Sequence, residues 1–211
     1  MTTNINTSPV FTKNGIILPG KTISAANTAK DGTGTVITIF DPSVTASTLT
    51  SSGTTATFIS TVPHNFVNGD TVLIVGASTA GYNGIQTITS TGALSFTYTV
   101  ASGLATPDAG AAVAHPMNGT RISKVVWQPI GTNVASVGRV FLNNGQANSS
   151  ATNNVYLADI TLPVSTLSEV ASMSQSILTL ELVVPPFHKL NTTLGTAVAA
   201  GYAVYAVAGA Y

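Results

Sequence analysis

The sequence predicts an all-β protein: a jelly-roll-like antiparallel β-sandwich with a small β-barrel or sandwich module inserted in one loop. Three observations predict it. Runs rich in Val, Ile, Thr, Phe and Tyr recur along the chain and are bounded by Gly, Pro and Asn, the mark of strands and turns. With the insert set aside, seven or eight such runs remain, which suits a two-sheet jelly roll or a similar sandwich. Composition also shifts abruptly: from Val44 to Ala114 there is no Lys or Arg, and the acids are Asp70 and Asp108 only. The expected organisation is a host domain of residues 1–43 and 117–211, opening with an N-terminal arm, and an inserted domain of residues 44–116. An insertion of that size in a loop costs little, because closure entropy grows slowly with length.

The host is organised around Asn118 to Asn144. Val125, Val126 and Trp127 run into a turn at Pro129 to Asn133, and Val137 to Leu142 resume before Asn143, Asn144 and Gly145, a strand-and-hairpin signature. Upstream, Asp31 to Gly34 is a turn that launches a strand at Thr35 to Phe40; one carboxylate in DGTGT is too few for a calcium loop. The insert offers strands at Thr55 to Thr61, Thr71 to Val75, Ile85 to Ser90 and Ser95 to Val100. Downstream, Val155 to Leu162 is a strand ended by Pro163. Thr166 and Glu169 have capping-box spacing for one short helix before Ser174. Leu178, Leu180, Leu182 and Val184 alternate with Glu181 facing the other way, a half-buried strand. Asn191 to Val198 and Tyr202 to Gly209 close the sheet. The apolar run Leu194 to Tyr211 is rich in Ala and Gly and lacks basic anchors, so it reads as two buried strands joined near Ala199 to Gly201 rather than as a membrane span.

Charge narrows the function. Charged residues make up 7% of the chain and sum to zero, whereas about 25% is usual for a soluble domain. A neutral Thr-rich surface suits a protein packed against neighbours, and equally a neutral extracellular β domain. Without a basic stripe there is no phosphate-neutralising surface, so no nucleic-acid partner is expected. There is no cysteine, which removes disulfides and thiolate metal sites. Met1 to Ser8 lack a signal-peptide layout, so synthesis in the cytoplasm is the expectation.

No catalytic motif emerges. His64, His115 and His188 lack metal-pair spacing and read as structural or loop residues. The nucleophile elbow G-x-S-x-G is missing; any two of the seven acids could meet as a carboxylate pair, but they are few and no cluster of aromatics is there to line a sugar groove; and Gly76 to Gly84 lack the Lys of a phosphate loop. No enzyme activity, cofactor or metal is expected. Residues 1–30 read either as a frayed terminus or as an arm reaching a neighbouring subunit. Phe11, Ile16, Ile17 and the C-terminal Tyr211 are the candidate intersubunit contacts, while Trp127 reads as core.

Residues 15–42 and 118–211 contain DGTGTVITIF, NGTRISKVVWQPIGTNVASVGRVFLNNG, NNVYLADITLP and LGTAVAAGYAVYAVAGAY. Together these resemble small tailed-bacteriophage virion proteins, the capsid decoration or cement proteins with jelly-roll-like sandwiches. The insert sequence PHNFVNGDTVLIVGASTAGYNGIQTITSTGALSFTYTV is similar to the small β repeats of phage tail and fibre proteins, HGF-x-x-GD followed by YNG and FTY. Asn65 stands where that pattern has Gly, which puts the turn after His64 in question. In those repeats Gly69 and Asp70 shape one turn and Tyr82 to Gly84 another. The resemblance implies a virion location on the capsid surface, the major capsid protein as partner, and a homo-oligomer, with a trimer as the leading form. Alternatives are a tail, baseplate or head-fibre component with a receptor-binding insert, or a carbohydrate-binding or adhesin module outside any virus.

Overall fold

The computed structural model describes residues 14–17 and 20–210, with the backbone alone described at 14–17, 90 and 210. It is all-β, and no α-helix occurs among the described residues. Strands β1 (Asn14–Ile17), β2 (Lys21–Ile23) and β3 (Ile37–Phe40) precede the insert. Within it lie β4 (Val44–Ser52), β5 (Thr55–Ser60), β6 (Thr71–Val75), β7 (Gly84–Thr87), β8 (Thr89–Gly92), β9 (Ser95–Thr99) and β10 (Val113–Pro116). After it come β11 (Thr120–Pro129), β12 (Ser136–Asn143), β13 (Asn154–Leu162), β14 (Ser176–Val184), β15 (Lys189–Leu194) and β16 (Tyr202–Ala210).

Two sheets form the sandwich. The front sheet has the order β1-β16-β11-β14, with β2 sharing the β1 edge of β16, and the back sheet has the order β13-β12-β15-β3. From β3 onward each host strand enters the opposite sheet from its predecessor, except at the β12–β13 hairpin. With β1 and β2 counted as one edge position, this is the eight-stranded order of a jelly roll.

That order corrects the hairpin expected at Asn118 to Asn144. Both strands exist, but β11 lies between β16 and β14, whereas β12 lies between β13 and β15. The segment is a crossover from one sheet to the other. Trp127 on β11 is fully buried, and Gly138 on β12 lies directly beneath its indole: a Cβ there would sit 2.9 Å from Cε2 and 3.0 Å from Nε1. The sheets meet at that pair, in a core with Ile122, Val125, Val140, Leu190, Leu194 and Val204.

The strands from β4 to β10 pair only with one another, among the described residues, in the order β7-β6-β10-β4-β5-β9-β8. The sheet curls until β7 approaches β9. It encloses a separate core in which the Phe58 and Phe96 rings stack at 4.6 Å, joined by Phe66, Tyr82 and Tyr98.

Several boundaries differ from expectation. Val44–Ser52 and Val113–Pro116 are strands beyond those the sequence predicts. The first carries Ser and Thr on its outer face, and periodicity over a mostly polar segment is faint. The expected single strand at Ile85 to Ser90 breaks at buried Ile88, whose N–H donates to the Asp70 carbonyl and whose own carbonyl accepts from Gly69. No helix follows Thr166: the Ser168 hydroxyl accepts the N–H groups of Val170 and Ala171, and Val170 is 97% exposed, so no apolar face holds a helix there. β15 ends at Leu194 rather than Val198, leaving 195–201 as a loop and β16 as the one strand in the apolar C-terminal run. No helix among the described residues is long and apolar enough to cross a membrane.

Candidate assembly surface

The histidines are engaged in packing and turns. His64 is buried; its Nδ1 accepts from the Phe66 N–H at 3.0 Å and its Nε2 lies 3.2 Å from the Ser95 carbonyl, so Nε2 carries the proton. His188 Nδ1 lies 2.9 Å from the Pro186 carbonyl in the loop before β15. His115 packs its ring on Phe187 at a centroid distance of 4.9 Å. No three His, Cys, Asp or Glu side chains converge as a metal site among the described residues.

The insert's motif residues build turns. Gly69 has a φ of 89°, and the Asp70 carboxylate accepts the Val67 N–H at 2.9 Å. Asn83 pairs with Ala77 through both ends of its amide, each contact 3.0 Å long, and Tyr82 buries its ring while its hydroxyl meets Ser51 and the Ala105 carbonyl. Asp108 accepts from the N–H groups of Thr79, Gly110 and Ser78; desolvation pushes its pKa up, but these bonds outweigh it and hold the carboxyl below its usual range. At the doubtful position, Asn65 adopts a left-handed φ of 56°, so it supplies the conformation for which the repeat pattern uses Gly. Asn tolerates that region better than other L-residues. Asn65→Ala is therefore expected to cost ~1 kcal/mol and Asn65→Gly close to nothing, as read by urea unfolding of the two variants.

The two faces of the sandwich differ. Residues 24–36 run along the back sheet and over its outer side: Asn27 N–H donates to Leu194 at 2.7 Å, Arg139 reaches the Asn27 carbonyl at 3.0 Å, and Asn148 reaches the Gly34 carbonyl at 2.8 Å. Gly32 lies against Asn154 and Phe141, leaving no room for a side chain. Phe141 and Thr193 are fully buried there.

No described segment hydrogen-bonds across the outer side of the front sheet as residues 24–36 do on the back, yet Val126 at its centre is only 1% exposed. That outer side is built of the cross-strand rows Tyr205–Val126–Ile177, Val207–Lys124–Thr179 and Gly209–Arg121–Val183. Ile177 and Val183 are 47% and 49% exposed. Apart from Lys124, the charge on these rows and beside them is the Arg121–Glu181 pair, an exposed contact of small energetic weight. Among the described residues β14 pairs only with β11, and Glu181, with a φ of 47°, sits in a bulge where β14 has one residue more than β11.

At the end of the sandwich remote from the insert, loops 130–135 and 163–175 are stapled together. Asn133 and Ser165 exchange backbone hydrogen bonds at 3.0 Å, and Leu167 N–H donates to Thr132 Oγ1. The buried Asn133 side chain donates to the carbonyls of Gly131 and Gly201 and accepts from the N–H groups of Ala200 and Gly201. This end presents Ile130, Val134, Val164, Leu167 and Val170 to solvent. Beside them a cleft of about 360 Å³ is lined by Pro129, Pro163, Met173, Tyr202 and serine hydroxyls, without a charged residue.

No family model, curated protein or solved structure matches this chain. Of the candidate contacts, Phe11 and Tyr211 lie outside the described residues, and Ile16 and Ile17 pair through their backbones with Ala208 and Val207 on the edge of β16. The sequence reading missed the exposed apolar end loops, although Val164, Leu167 and Val170 were legible as apolar residues in a polar segment that no strand pattern claimed.

Proposed function

We propose that this chain is a structural protein of a phage virion, a capsid decoration protein that binds and stabilises the shell of major capsid protein as an oligomer, with a trimer as the leading form. The observation that carries the reading is the exposed apolar end formed by Ile130, Val134, Val164, Leu167 and Val170, beside a front sheet whose outer rows expose Ile177 and Val183. A group of exposed apolar residues at one end of a domain marks a protein contact. A jelly roll with a separate module inserted in one loop also fits a part that grips a shell on one side and projects on the other. Stabilisation would follow from linkage, since anything that binds only the assembled shell favours it.

The test is to mix the purified protein with capsids that lack it, pellet them, and compare their resistance to heat and low salt. Saturable co-sedimentation with raised resistance is the expected result, and Leu167→Asp with Val170→Asp should weaken binding at least tenfold without unfolding the protein. That factor corresponds to about 1.4 kcal/mol. Absence of binding by the unaltered protein would overturn the shell role and favour a tail, baseplate or head-fibre position.

A further inference from the structure

The insert and the jelly roll meet at a small seam. His115 is in β10, the last strand of the insert, and its ring lies against Phe187 in the loop between β14 and β15. Phe187 adopts a φ of 68°, rare for a bulky residue, and its carbonyl packs so closely on Gly145 that any side chain there would collide with it. The loop is thus held in an unfavourable conformation while it supports the histidine. His115 Nδ1 is buried and has no hydrogen-bond partner. Burial without a partner costs free energy even for a neutral ring, and far more for a charged one.

We propose that this seam is an acid-operated hinge: protonation of His115 releases the 44–116 module from its packing on the Phe187 loop, while each part keeps its own fold. The charged groups acting on the ring are Asp41, just past the end of β3, and Lys189 at the start of β15. They pair with each other at 2.9 Å, so their effects on an imidazolium largely oppose one another. His188, next to Lys189, is directed at the Pro186 carbonyl. Burial pushes the Asp41 carboxyl up, but the bonds from Ser43 and Lys189 prevail and hold it below the usual range, so it stays ionised through mild acid.

Desolvation lowers the pKa of His115 in the closed seam below the ordinary 6.5. A base that is harder to protonate when closed stabilises the closed form fully above the ordinary value. That contribution is lost as pH falls from 6.5 toward the lowered value. Over that window the open-to-closed ratio rises as pH falls, by at most about tenfold per pH unit. Because the two cores are separate clusters, opening the seam leaves each one intact.

The chain has no cysteine, so a spin-label pair can be placed by Ile85→Cys on the insert and Val164→Cys on the jelly roll, both exposed sites. Distances are read by pulsed electron resonance from pH 8 to pH 4.5, with Trp127 fluorescence reporting the jelly-roll fold. The expected result is one narrow distance at pH 8 that broadens below about pH 6.5 with unchanged fluorescence, as the histidine titrates. His115→Gln and His115→Phe should each show a distribution that does not vary with pH. Either variant broadening with the unaltered chain's pH dependence, or no broadening in the unaltered chain, would overturn the hinge.

Discussion

Trp127→Ala should destabilise the jelly roll by about 3–5 kcal/mol, the largest single-residue effect expected in this protein. The indole is fully buried, and its Nε1 has no hydrogen-bond partner, so the loss is one of packing alone. It fills the space between the sheets because Gly138 brings β12 close beneath it. The neighbouring core residues are fixed in two hydrogen-bonded sheets and cannot collapse into the cavity. Calorimetry should show the host transition lowered by roughly 10 °C, while a transition assigned to residues 44–116 stays in place. The reciprocal change, Gly138→Ala, puts a methyl against three ring atoms at 2.9, 3.0 and 3.1 Å. Overpacking of that kind costs roughly 1–3 kcal/mol. A shift of less than 1 kcal/mol for Trp127→Ala would mean that the sheets do not meet at this pair.

The second large effect is expected at Asn133, which is buried and bonds Gly131, Ala200 and Gly201 through its side chain. Replacing it by Ala leaves the N–H groups of Ala200 and Gly201 without their acceptor, at about 1–3 kcal/mol for each that water cannot reach, while the Gly131 and Gly201 carbonyls keep the Ser165 hydroxyl and the Ile130 N–H. Asn133→Ala should therefore cost about 3 kcal/mol in denaturant unfolding. It should also speed amide exchange at Gly201, whose N–H donates to Asn133, more than at Val140 in the middle of β12. Because the same staple carries Val164, Leu167 and Val170, this variant should also lose capsid binding under the proposed function. A variant that keeps its stability would show that Asn133 is replaceable by water.

Much of the fold was legible because strand chemistry is local. The alternation of Leu178, Leu180, Leu182 and Val184 against exposed Ile177, Thr179, Glu181 and Val183 is the burial pattern of β14. The block from Val44 to Ala114, without Lys or Arg, holds strands that pair among themselves around a core of their own. Thr71 to Val75 was legible end to end, since Gly69 and Gly76 bracket it with positive φ angles.

What only the tertiary structure decided is which strands pair. The Pro129 to Asn133 segment has turn chemistry whether it returns to the same sheet or crosses to the other, and the outcome depends on Trp127 and Gly138 meeting across the sandwich, a contact between sheets rather than neighbours in a hairpin. Asn133 likewise reads as a turn residue from its flanks, and its role emerges only when Gly201 is brought to it from far along the chain. The asymmetry between a back sheet crossed by residues 24–36 and a front sheet without such a strap among the described residues has the same origin. Sequence determined that each strand has an outer face; the path of residues 24–36, fixed by Asn27, Arg139 and Asn148, determined which face is crossed by chain.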